Sequence, residues 1–180
     1  MTEHRKTRPT WTTIIACLLL VGASTILAQV ASAKNDVASQ ERVLLQVTPT
    51  NGPMADSRSV NFDRARLDDL PQQEFTTSTI WTVGDLSFSG PSLFDVLGAA
   101  DVSGSTVHLV AANGYEVRMA WEEIEETVPI VATRIDGEPF SVREKGPLWV
   151  VFPYDLDPSY RTEAVYALSI WQLTDVRVSR

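Results

Sequence analysis

The residues best able to do chemistry are basic and aromatic. Arg134, Arg143, Lys145 and Arg161 fall close together in the carboxyl half of an otherwise acidic chain. Arginine's planar fork matches phosphate and carboxylate oxygens, so such a set could form a local anion site. The alternative is that each cation pairs with a neighbouring Asp or Glu, as surface arginines ordinarily do. All but Arg134 lie in expected loops. Trp81, Trp121, Trp149 and Trp171 are numerous for this length. They could stack on a flat ligand, or pack in the core as aromatics in strands do by default.

Elimination narrows the remaining chemistry. Beyond the first segment the chain has one histidine, His108, in the middle of an expected strand. A Ser-His-Asp arrangement would need it, yet a lone strand histidine reads first as a satisfied structural residue. Zinc sites draw on several His or Cys ligands, and these are lacking. Asp155 and Asp157 form a D-x-D with Glu144 and Glu163 nearby, but without EF-hand spacing they read as a solvated loop. Glu122, Glu123, Glu125 and Glu126 read as the wet face of a short helix. Neither common phosphate-binding glycine loop occurs. No metal ligand and no catalytic residue is assigned.

The amino-terminal end reads as an address. Arg5, Lys6 and Arg8 precede an apolar run from Ile14 to Ala28 and the triplet Ala31-Ser32-Ala33. A basic start, an apolar middle and an A-x-A end make a secretory signal pattern, with cleavage expected after Ala33. The apolar run is short for a bilayer, which takes about 20 residues. Residues 34–180 then form one domain by length. That part has no cysteine, because Cys17 is the only one in the chain. The expected location is periplasmic or secreted, without membrane insertion after cleavage. The formal net charge of the whole chain is −8, and losing a basic leader makes the remainder more negative. That balance opposes nucleic-acid and anionic-membrane binding.

The elements that must position these residues are short. Residues 34–60 read as a linker and a first strand at Val43–Val47. Asp63 to Leu70 reads as a turn or short helix. Phe75–Trp81 is rich in β-formers and is followed by a return strand at Asp85–Phe88. Ser92, with Asp95 three residues on, caps a helix whose Leu93 and Leu97 share a face. Thr106–Val110 and Tyr115–Met119 form a hairpin through Asn113-Gly114. Trp121–Thr127 reads as an acidic helix stopped by Pro129, and Ile130–Ile135 as a strand before the Asp136-Gly137 turn. The apolar run Leu148–Phe152 suits a central strand buried on both faces. Val165 to Val178 supplies one or two last strands. The pattern predicts an α+β single domain of mixed β-sheets with short helices.

In succession, several of these segments resemble the molybdopterin-binding domain of sulfite oxidase-type oxidoreductases. Ala132-Thr133-Arg134-Ile135-Asp136-Gly137-Glu138-Pro139 and Gly146-Pro147-Leu148-Trp149-Val150-Val151-Phe152-Pro153 are similar to that family's "A-x-x-x-N-G-x-P-L" turn and "G-x-P-x-R-x-x-x-P" strand. Ser89 to Leu97 resembles its capped helix, Asn113-Gly114-Tyr115 its "D-G-Y" hairpin, and Trp171 to Val178 its closing strand. The likeness spans about Asn61 to Arg180, residues 61–180. It is closest to small exported bacterial proteins made of this domain alone.

The resemblance implies a sulfite oxidase-like fold and a face where relatives hold molybdopterin. On that face it places Trp81, Asn113, Tyr115, Arg134, Arg143, Trp149 and Arg161. It also shows departures. The strand that carries the molybdenum-ligating cysteine corresponds to Phe75–Trp81, with Thr79 or a neighbour at the cysteine position, and a hydroxyl replaces a soft thiolate poorly. Trp149 stands where the family has Arg, and Trp171 where it tends to have Lys. The expectation is an exported, non-catalytic module that binds a small anionic or aromatic ligand or an envelope protein. The alternatives are a molybdenum-cofactor oxidoreductase acting on a small oxyanion, and a sensory partner of an envelope protein.

Overall fold

A computed structural model describes residues 42–50 and 59–180. The signal pattern, and the linker expected from Lys34 to Gln40, lie outside the described residues. The described residues fall in one compact unit with mixed α+β architecture.

Its largest sheet has five strands in the order β2-β1-β11-β5-β6. These are β1 (Leu45–Pro49), β2 (Val60–Phe62), β5 (Thr106–Ala111), β6 (Glu116–Ala120) and β11 (Leu173–Ser179). β1 and β11 run parallel, and the other pairs antiparallel. Period-2 alternation explains which side faces the core. Val107 and Leu109 are buried while His108 points away, and Val176 and Val178 are buried around the exposed Arg177. Gly114, with φ +83°, turns the chain between β5 and β6, a conformation that costs glycine little.

A second sheet orders β3 (Gln72–Ser78), β4 (Asp85–Pro91), β8 (Arg134–Ile135) and β9 (Glu138–Pro139). β7 (Ile130–Ala132) and β10 (Trp149–Val151) form a separate antiparallel ladder. Gly90 lets β4 pass close against β7. A Cβ there would lie 2.1 Å from the Val131 carbonyl oxygen.

Among the described residues there are three α-helices, α1 (Arg64–Asp68), α2 (Leu93–Ala99) and α3 (Glu163–Leu168). The Ser92 cap is present. Its Oγ accepts the Asp95 N–H at 3.0 Å and donates to Asp95 Oδ2 at 2.7 Å. Leu93, Val96 and Leu97 are buried beneath it. The Leu93 N–H donates to the Pro129 carbonyl at 2.8 Å, which fixes α2 against β7.

Several expectations need correction. Leu148–Phe152 is buried, but it is no central strand of a wide sheet. β10 pairs with β7 on one side only. Its other side is met by an irregular segment, through Val150 N–H to Ile170 O at 2.9 Å and a bridge between Trp149 and Trp171. Ile130–Ile135 is split at Thr133, whose N–H donates to Ser89 O at 2.8 Å, so β7 and β8 join different sheets. The expected strand Phe75–Trp81 ends at Ser78, where Asp155 takes the backbone N–H. The acidic stretch Trp121–Thr127 makes only a single 3-10 turn, Trp121–Glu123. Residues 165–168, at the start of the stretch expected as strand, belong to the helix Glu163–Leu168.

Candidate functional site

A cleft of about 400 Å³ opens between the β5–β6 hairpin, the loop after β3 and the exit of α3. Its walls are Trp81, Tyr115, Tyr166 and Trp171, with Asn113 and Ser169 as polar members and Ala111, Ala167 and Ile170 between them. None of these side chains is charged.

Local chemistry sets each wall. Trp81 follows a threonine turn in which Thr79 Oγ1 accepts the Trp81 N–H at 3.1 Å and bonds Thr82 Oγ1 at 2.7 Å. Its ring meets Tyr166 at 5.7 Å and 87°, and Trp171 at 5.8 Å and 74°, between centroids. Such edge-to-face contacts are the favoured geometry of aromatic pairs. Asn113 Oδ1 accepts the Tyr115 N–H at 3.0 Å, which orients both residues at the hairpin tip. The hairpin is tied to the segment before β11 by Ala112 N–H to Gln172 O at 2.9 Å. Thr162 caps α3, its Oγ1 accepting the Val165 N–H at 3.3 Å, and so presents Tyr166 to the cleft.

Behind the cleft lies a buried polar knot. Tyr154 donates its hydroxyl to Ser169 Oγ at 2.6 Å, and that hydroxyl donates to Val165 O at 2.8 Å. Trp149 Nε1–H donates to the Ser169 carbonyl at 3.2 Å. Burial pushes the Tyr154 hydroxyl up to about 12, with the bond to Ser169 opposing that rise.

Of the seven residues implied by the resemblance, the cleft gathers Trp81, Asn113 and Tyr115. Trp149 does not line it. It is fully buried and backs Trp81 at 5.9 Å and Trp171 at 6.4 Å. The three arginines lie elsewhere. Arg134 grips Asp68 with both terminal nitrogens at 2.8 and 2.7 Å, and this bond holds its guanidinium charged more firmly than usual. Arg161 donates to Tyr154 O at 2.8 Å and to Asp155. Arg143 sits exposed in the 3-10 turn Val142–Glu144. Lys145 places its ammonium 5.7 Å from the Trp149 ring centroid.

The other candidates are satisfied locally. His108 bonds Glu116 Oε1 through Nδ1 at 2.9 Å and Ser179 Oγ through Nε2 at 3.1 Å. The bond from His108 is the main reason the Glu116 carboxyl lies below the usual range. Asp155 accepts from Ser78 and Thr77, and Asp157 accepts the Ser159 N–H at 2.8 Å. The D-x-D thus secures backbone at two separate places.

Tyr166, Trp171 and Ser169 complete the cleft without having been grouped with it from sequence. Trp171 stood out as one of several tryptophans and as standing where the resembled family tends to have Lys. Tyr166 could have been found from Thr162-Glu163-Ala164, a cap, a first-turn acid and a strong helix former.

A phosphate-bearing pterin with a sulfur-held metal does not fit this lining. The cleft offers it no cation and no thiol, and Thr79 Oγ1 is engaged with Thr82 and Trp81. Comparison with protein-family models and with curated proteins finds no match to the chain.

Proposed function

We propose that this chain is an exported, periplasmic or secreted, non-catalytic module that binds a small ligand on a sulfite oxidase-type scaffold. One observation carries the binding role: four aromatic side chains converge on an open cleft whose lining holds no charge. Clefts of this size, mostly apolar with a few placed polar groups, are the usual form of small-molecule sites. Asn113 supplies such a group here. The resemblance supports the scaffold, and the amino-terminal pattern supports export. The Thr79 hydroxyl at the family's cysteine position, together with the uncharged lining, favours binding over redox chemistry.

The test is a titration of the full chain with indole and with choline, followed by calorimetry. Saturable binding of either one, weakened about three- to tenfold in Tyr115→Ala, is the expected result. Tyr115 is 54% exposed, so its truncation spares the core. No saturable response to either compound refutes the binding role.

A further inference from the structure

We infer that the cleft is a receptor for a compact organic cation, of which a quaternary ammonium group is the fitting member. This rests on the cleft being the ligand site proposed above.

Shape comes first. Trp81 meets Tyr166 at 87° and Trp171 at 74°. Rings crossing near right angles leave corners rather than parallel slots. A planar guest in a corner lies flat on one wall only. A tetrahedral group touches two walls at once.

Charge points the same way. Aromatic faces are the negative part of the ring quadrupole, and no side chain of the lining carries a charge. An anion entering here would shed water with no cation to replace it. A quaternary ammonium gains attraction from every ring face it meets. The same aromatic cluster already holds one cation, the Lys145 ammonium over the Trp149 ring. The chain's net charge of −8 draws cations towards it from a distance. Asn113 Oδ1 is committed to the Tyr115 N–H, which leaves the Nδ2 hydrogens to donate to a hydroxyl carried by the cation.

The experiment compares choline with its neutral isostere, the alcohol with carbon in place of the charged nitrogen, on the full chain. Indole is the reference and calorimetry the readout. Choline is expected to bind about tenfold tighter than the isostere. Tyr115→Leu keeps apolar bulk but removes a ring face. It should weaken choline about threefold more than it weakens the isostere. Equal affinity for the two isosteres overturns the cation inference and leaves a binding cleft. Indole bound without choline does the same. If none of the three binds, both the inference and the binding role fall.

Discussion

Trp149 is the residue on which the cleft's rigidity rests, and its removal can be worked through. It is fully buried and touches the rings of Trp81, Phe88 and Trp171 at 5.9, 5.5 and 6.4 Å. Trp149→Ala deletes an indole from a closed site, at a cost of about 3–5 kcal/mol. It also strips the Ser169 carbonyl of its Nε1–H donor. A buried acceptor left alone costs roughly 1–3 kcal/mol more, unless water fills the void. Trp149→Phe keeps most of the ring contact and loses the donor, so about 2 kcal/mol is expected there. For a unit of this size each kcal/mol lowers Tm by about 3 °C. The Ala variant should therefore melt about 15 °C below the parent chain, and the Phe variant about 6 °C below. Urea unfolding followed by near-ultraviolet circular dichroism gives the free energies directly. The Ala variant should also lose the binding response of the cleft, since Trp81 and Trp171 lose their backing. An Ala variant within 1 kcal/mol of the parent would refute the account of Trp149 as buried support.

Three further outcomes follow from single contacts. Gly90→Ala places a Cβ 2.1 Å from Val131 O, in backbone that cannot swing aside, and should cost at least about 3 kcal/mol in urea unfolding. The Asp155 carboxyl is held below its usual range, first by the Ser78 N–H and then by the Ser78 hydroxyl. Its contribution is present above the ordinary carboxylate pKa and is lost as pH falls through the depressed folded value. Stability measured from pH 5 downward, about where carboxylates begin to protonate, should fall less steeply in Asp155→Asn. The Tyr154 hydroxyl is raised to about 12, against about 10 when unfolded. It favours the folded state below pH 10 and loses that preference as pH rises towards 12. Tyr154→Phe should flatten that alkaline decline, followed by tyrosinate absorbance and by melting.

Local signals were read well from the sequence, and long-range partnerships were not. The α2 cap was legible because Ser92 and Asp95 satisfy each other within one turn. The Asn113-Gly114 and Asp136-Gly137 turns were legible because positive φ favours few residue types. The position of β10 was not. An apolar run reports burial, but it does not say whether a second strand or an irregular segment such as residues 169–172 does the covering. Thr133 splits what looked like one strand because Ser89, far away in sequence, offers it a carbonyl.

The same limit governs the site. Arg134, Arg143 and Arg161 looked like a set because they are close in sequence. In the fold each goes where its nearest acceptor or the solvent takes it, and Asp68, from α1, claims Arg134. The aromatic residues behave differently because they need no single partner. Trp81 lies far along the chain from Tyr166 and Trp171, and the three converge because each gains from any neighbouring ring face. Where acids outnumber bases, as here, cations find local partners readily. A cleft left open at the surface is then walled by the residues that the ion pairs do not use. That is why its chemistry is aromatic and uncharged, although the sequence drew attention first to arginine.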